Sequence, residues 1–277
     1  MSSARNVVQS LKRLTRATYR FLGLLACSAL VFTWGLEDLT ALGVSRMWDH
    51  GFSSPDPNSI FTNPAFQGES PGTIFQDTLT LNLPQLWFSI FYFTYNGILT
   101  TMHTGYEWSQ FAKRRKALRV SNPRMEQRST YWLQLPLSYS VPLIITSGML
   151  HWLVGRSLFL VKIDVYGFDG QRETWRDISA CGYSSLAILL VMVLLCLMAL
   201  VLGLVARRRL QPGMPATGTS SGAISAACHP LDVGRAHDAA FRPLMWGVVK
   251  EPNGSEPGHC SFTTMEVAGP VDGMYYM

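Results

Sequence analysis

The sequence predicts an all-α integral membrane protein with four transmembrane helices and a mostly irregular, cytosolic C-terminal tail. Of its 277 residues, 48% are hydrophobic and only 15% are charged, whereas soluble domains contain about 25% charged residues. The apolar residues are concentrated in four segments, each of roughly the length that a helix needs to cross a bilayer. Basic clusters alternate with these segments, a pattern typical of multi-pass membrane proteins.

The N-terminal part is predicted to be a basic cytosolic arm, residues 1–16, followed by a first span at residues 17–36. The first 20 residues contain five basic residues and no acid. A cleaved signal peptide is the alternative, because a basic start and a short apolar core fit it as well. A retained span is favoured, because the small residues lie in the middle of the apolar run, before Phe32 and Trp34.

The remaining spans are predicted at residues 83–106, 135–155 and 185–206, so the membrane domain would cover residues 17–206. Pro84 is expected in the first turn of its helix, where a missing N–H costs little. Pro142 lies inside the third span and predicts a kink near Ser138. The last span is the least ambiguous, because residues 186–204 contain no charge.

The loops orient these predicted spans. Residues 37–82 contain six acids and one basic residue, whereas residues 107–131 contain seven basic residues and two acids. Residues 162–183 contain four acids and three basic residues, and three arginines follow the last span. The positive-inside rule therefore predicts cytosolic N- and C-termini in a membrane that the sequence does not identify.

The segment after the last span, residues 207–277, is predicted to be a flexible cytosolic tail. Residues 211–222 are rich in Gly, Pro, Ser and Thr, a composition typical of flexible linkers. The apolar pieces beyond them have no sustained helical or strand periodicity. No packed fold is therefore expected in this tail.

Six short runs from different parts of the chain provide a resemblance: residues 128–136 (RSTYWLQLP), 147–154 (SGMLHWLV), 162–166 (KIDVY), 178–184 (ISACGYS), 223–230 (AISAACHP) and 258–262 (GHCSF). Together they resemble a group of multi-pass membrane proteins of filamentous fungi that have no assigned function. Those proteins are usually longer at the N-terminus, and this chain resembles their C-terminal half. The resemblance implies a membrane location and no particular activity.

The first candidate site is a polar seam between the second and third predicted spans. Its members are Asn96, Thr100, His103, Ser147 and His151. Polar groups in hydrocarbon often mark a pathway or a buried ligand site, but they also bond packed membrane helices to one another. Helix bonding is favoured, because no predicted span carries a carboxylate or lysine at mid-depth.

The second candidate is the basic loop after the second span. Contact with anionic lipid is predicted for Lys113, Arg114, Arg115, Lys116 and Arg119. Apolar residues such as Trp108 and Phe111 are interleaved with these cations, so the segment could lie as an amphipathic helix on an anionic leaflet. The simpler role for these cations is to determine the membrane topology of the chain. A nucleic-acid partner is not expected, because the loop is short and anchored at both ends.

The third candidate is a set of possible metal ligands in the tail: Cys228, His229, His259 and Cys260. These residue types bind zinc, but adjacent Cys-His pairs about thirty residues apart lack the usual ligand spacing. No metal and no cofactor are therefore predicted. Cys181 is the one cysteine expected on the external side, so no disulfide framework is expected.

The sequence contains no P-loop, G-x-G-x-x-G or H-E-x-x-H motif, and no enzymatic activity is predicted. The favoured function is a non-catalytic membrane scaffold or sensor, in contact with the lipid bilayer and with protein partners that the sequence does not identify. The alternative is a small transporter or channel subunit that uses the polar seam. A continuous wet cavity would favour transport, and a dry, closed helical hairpin would favour the scaffold.

Overall fold

The structure is a computed structural model that describes residues 19, 23, 26, 43, 45, 47, 48, 51–54, 60–61, 71–173, 178–208, 214, 224–225, 227–228, 239–253, 256–271 and 273–276. The predicted basic arm lies outside the described residues. The predicted first span also lies outside them, except for Tyr19, Gly23 and Ala26, which are helical.

The described residues form three long helices and seven strands. In chain order the elements are β1 (Ile60–Phe61), α1 (Pro71–Ser109), β2 (Arg119–Val120), β3 (Arg128–Ser129), α2 (Leu137–Ser157), β4 (Leu158–Ile163), β5 (Ile178–Tyr183), α3 (Ser185–Ala206), β6 (Met245–Lys250) and β7 (His259–Thr263). Short 3-10 turns follow α1 at Gln110–Ala112 and precede α2 at Trp132–Gln134.

The prediction of an all-α, four-span protein is wrong. The described residues adopt a mixed α/β architecture with three small sheets, ordered β1-β5-β4, β2-β3 and β6-β7. Among them, α2 and α3 are the helices long and apolar enough to cross a membrane. Strand pairing depends on partners distant in sequence, which apolar periodicity does not report.

Helix α1 differs most from its prediction. It has 39 residues and begins with Pro71, a residue favoured at the first helical position because its N–H would be unpaired there in any case. Pro84 therefore lies in the helix interior and not in the first turn. Polar side chains bond back to the helix itself: the hydroxyls of Ser89 and Thr94 donate to the carbonyls four residues earlier, at 3.0 and 2.9 Å. This bonding satisfies them locally.

Helices α2 and α3 agree closely with their predictions. The bounds of α3 match the predicted residues 185–206, and α2 is shifted by two residues from 135–155. Ser184 caps α3: its Oγ accepts a hydrogen bond from the N–H of Ala187 at 3.5 Å. Serine is among the residues preferred at this capping position.

The chain divides into two compact units, and the second comprises residues 20–95 and 142–201. Its sheet pairs β5 antiparallel with both β1 and β4. The residues between α2 and α3, of which 162–183 were expected to be a loop, therefore include two paired strands. The Tyr95 hydroxyl donates to the Met198 carbonyl at 3.1 Å, and the rings of Phe52 and Trp152 stack at 5.4 Å.

The first unit comprises residues 1–19, 96–141 and 202–277. Its antiparallel hairpin of β6 and β7 joins a hydrophobic cluster with the end of α1; the buried members are Phe111, Ala227, Leu244, Trp246, Val248 and Cys260. Trp108 and Phe111 each meet the Phe262 ring edge-to-face, at 5.2 and 5.4 Å. The segment expected to be an irregular tail thus contributes strands and core residues to this unit.

Candidate functional site

The last turns of α1 present a polar face in the first unit. Asn96, Thr100, His103 and Glu107 are separated by four, three and four residues, so they lie on one side of the helix. All four side chains are half-buried. Around this face the structure assembles an aromatic and cationic cluster from the loop after α1, the start of α2 and the residues after α3.

Arg119 fixes the loop after α1 to the helix. Its Nε donates to Glu107 Oε1 at 2.9 Å, and its Nη1 donates to the Ser129 carbonyl at 3.1 Å. Its Nη2 donates to the Tyr131 hydroxyl, while Cζ lies 3.7 Å from the centroid of the same ring. Because every nitrogen of this guanidinium has a partner, Arg119 serves as a structural tie.

His103 and Arg208 share an aromatic environment. The His103 ring lies 6.1 Å from the Tyr131 ring and 5.6 Å from the Tyr139 ring, centroid to centroid. Arg208 Cζ lies 5.5 Å from the Tyr139 centroid and 5.8 Å from the Tyr106 centroid. Tyr139 is therefore flanked by an imidazole and a guanidinium, and Arg208 makes cation–π contacts with two rings.

Lys116 completes the cluster. Burial lowers the pKa of its ammonium group; the charge of Glu107 opposes this effect, and the charges of Arg114, Arg119 and Arg128 add to it. Its backbone exchanges two hydrogen bonds of 2.8 Å with Leu244. Lys116 is thereby fixed between the end of α1 and the start of the β6–β7 hairpin.

The predicted polar seam is divided between the two units. Asn96, Thr100 and His103 belong to the first unit, and Ser147 and His151 belong to the second. Within the described part of the chain, Asn96 Oδ1 and Thr100 Oγ1 are buried and have no hydrogen-bond partner. The fully buried Ser140 Oγ of α2 shares this property.

The predicted lipid-contact residues separate into two groups. Lys113, Arg114 and Arg115 are exposed, whereas Lys116 and Arg119 are half-buried in the cluster. The amphipathic helix expected here does not form: α1 ends at Ser109, and β2 follows after one 3-10 turn. Trp108 and Phe111 pack against Phe262 and so are not interleaved with cations on an exposed face.

The candidate metal ligands have dissimilar environments. Cys260 belongs to the hydrophobic cluster, and burial together with the Glu251 charge raises the pKa of its thiol to about 11. Burial also raises the pKa of Cys228. Because the thiolate is the metal-binding form, both shifts oppose binding. His229 lies outside the described residues, and within those residues no group of three or more potential ligands occurs.

Sequence reasoning missed Tyr131, Tyr139 and Arg208 as members of one cluster. Arg208 stood in a run of three arginines that was interpreted only as the end of a span and as an orientation signal. The two tyrosines flank the start of α2, and their spacing of eight residues across a turn gave no periodic signal. Contacts among three separate segments brought these residues together.

Comparison with known proteins identifies the family of this chain. A family model described as "Domain of unknown function (DUF8419)" matches residues 6–276. No curated protein and no solved structure matches the chain. The resemblance to an uncharacterised family is confirmed at this level, because the match covers nearly the whole chain. The chain therefore belongs to the DUF8419 family.

Proposed function

We propose that this protein is a membrane-embedded, non-catalytic scaffold or sensor. The supporting observation is that each long helix exposes apolar side chains at helical spacing. These are Phe75, Leu79, Leu83, Leu86, Ile90 and Phe93 of α1; Leu137, Val141, Ile144, Ile145, Met149 and Trp152 of α2; and Leu190, Val193, Leu197, Leu200, Val201 and Leu204 of α3. Exposed apolar surface of this extent marks contact with a membrane or another protein.

The limited burial of α2 and α3 favours the membrane as that contact. Only 28% of the apolar window of each helix is buried within the chain, whereas an apolar core helix of a soluble protein is mostly buried. Covering a single leucine or isoleucine side chain is worth about 1.5–3 kcal/mol. Lipid covers all such residues at once, so that no specific partner protein is needed to cover them.

Charge gives the proposed orientation. The basic residues 113–128 precede α2, and Arg207 and Arg208 follow α3. Two crossings by α2 and α3 would leave both segments on one side, which the positive-inside rule assigns to the cytosol. The C-terminus would be cytosolic, and the N-terminal location stays a prediction.

Leu197→Arg tests this proposal. Leu197 lies in the middle of α3 and is 51% exposed. Arginine at mid-bilayer costs about 3 kcal/mol, so we expect much less chain to resist alkaline carbonate extraction. On a water-exposed surface the same change would be nearly neutral.

Met265→Arg is the matched control, because Met265 is 53% exposed but lies outside the helices. This variant should partition as the unaltered chain does. The membrane proposal would be contradicted if carbonate extraction released the unaltered chain and the Leu197→Arg variant into the soluble fraction in equal amounts.

A small transporter or channel subunit is the second candidate, and the unpaired buried atoms of Asn96, Thr100 and Ser140 favour it. A wet path would supply water or substrate to these atoms. In a dry scaffold these atoms would only lower the stability, because a buried polar group without a partner destabilises the fold.

Thr100→Val and Ser140→Ala distinguish the two candidates. Each change removes an unpaired oxygen and nearly preserves side-chain volume. For the scaffold we expect the free energy of unfolding to stay unchanged or rise by about 1 kcal/mol. Thermal unfolding in neutral detergent measures this quantity. A clear loss of stability in both variants would favour the wet site.

A further inference from the structure

The cluster around His103 contains more positive charge than its carboxylate can neutralise. Lys116, Arg119 and Arg208 all act on His103 through space, and Glu107 is the one acid that does so among the described residues. Arg114 and Arg128 add their charge at Lys116. Glu107 is already bonded to Arg119 at 2.9 Å. Uncompensated cations at such a half-buried site favour a bound anion.

Two aromatic rings orient the Arg208 side chain, but its N–H groups have no acceptor among the described residues. Its guanidinium contacts the rings of Tyr106 and Tyr139, and its side chain is exposed. In the described part of the chain, no hydrogen bond or ion pair uses its side-chain N–H groups. Cation–π contacts use the charge of a guanidinium and none of its N–H donors, and those donors match the oxygens of a phosphate.

We propose that Lys116 and Arg208, together with His103, bind a phosphate group. A planar fork, a compact ammonium group and an imidazole differ in the geometry of their donors, and such a set suits the several oxygens of a phosphate better than a planar carboxylate. The headgroup of an anionic phospholipid and a soluble phosphate ester share this chemistry.

The position of Arg208 favours the lipid source. Arg208 lies two residues beyond the end of α3, the depth at which cationic side chains reach phospholipid headgroups. This source rests on the membrane function proposed above, whereas the site itself does not.

The test uses the full chain purified in neutral detergent. Its thermal midpoint is followed while phosphatidic acid or phosphatidylcholine is added to the micelles. Parallel titrations use sodium phosphate, glycerol 3-phosphate and sodium acetate at constant ionic strength, so that screening is equal. We expect phosphatidic acid to raise the midpoint in a saturable way, and acetate to have no effect.

Arg208→Gln and Lys116→Gln should each weaken the apparent affinity at least about tenfold, since a charge-assisted hydrogen bond is lost. Arg207→Gln and Lys113→Gln are the matched controls. Both residues are exposed cations beside the site with the same charge, and their substitution should leave the affinity nearly unchanged. Arg208→Lys should retain part of the affinity if charge as well as fork geometry contributes.

Two results would overturn the site: no stabilisation by any phosphate probe, or equal loss of affinity in Arg207→Gln and Arg208→Gln. Stabilisation by glycerol 3-phosphate as strong as that by phosphatidic acid would support the site and assign it to a soluble phosphate ester. Carbonate extraction of the same variants reports membrane insertion separately, so failure of the site and failure of the membrane proposal are distinguishable.

Discussion

Gly247→Ala is expected to destabilise the first unit by about 3 kcal/mol. A Cβ at this position would overlap the Ala268 carbonyl oxygen and would lie 2.6 Å from Val267 Cγ2. The Ala268 oxygen cannot withdraw freely, because it accepts a hydrogen bond of 2.9 Å from the N–H of Val248. The change would therefore separate residues 267–268 from β6 and open the hydrophobic cluster.

Thermal or urea unfolding, followed by limited proteolysis between β6 and β7, measures this effect. Gly269→Ala is the control, because nothing lies within 4 Å of its added Cβ. It should be neutral or slightly stabilising. If both variants unfold at the same midpoint as the unaltered chain, the close approach at Gly247 does not exist in solution.

Arg119→Met is expected to have the second-largest effect, a loss of about 2 kcal/mol. The change leaves Glu107, the Ser129 carbonyl and the Tyr131 hydroxyl without the donors they have now. Side-chain exposure of 24% for Arg119 and 26% for Glu107 keeps the loss below that of a fully buried ion pair, because solvent screens the charges partly.

Two further variants locate the cause of this loss. Arg124→Met removes an exposed arginine from the same loop and should cost less than about 0.5 kcal/mol. Glu107→Gln added to Arg119→Met should recover part of the stability, since no half-buried carboxylate is then left unpaired. Equal unfolding midpoints for Arg119→Met and Arg124→Met would show that the hydrogen bonds of Arg119 contribute nothing to the stability.

Sequence reasoning was accurate where the structure is local. Residues 186–204 are uninterrupted by charge, and the helix found there has the predicted bounds. The prediction for α1 was too short at its N-terminal end, because residues 71–82 mix Gly, Thr, Gln and Asp with apolar residues.

The candidate site was only partly predictable. His103, Lys116 and Arg119 stood out in the sequence, but Lys116 and Arg119 were assigned to a lipid-facing helix. In the structure Arg119 bonds to Glu107, and Lys116 pairs with Leu244. These partners lie 12 and 128 residues away. The predicted seam groups five polar residues, of which Ser147 and His151 belong to the other unit.

The sequence by itself determined the family, the two most apolar helices and the charge asymmetry of the loops. These depend on residue identity and on hydrogen bonds that close within four residues. Only the tertiary structure decided the sheets, the folded C-terminal part and the cluster around His103. Ile60 pairs with Gly182 and Met245 with Thr263, and no local pattern specifies a partner across such a distance, because its backbone bonds form only when the chain has brought both strands together.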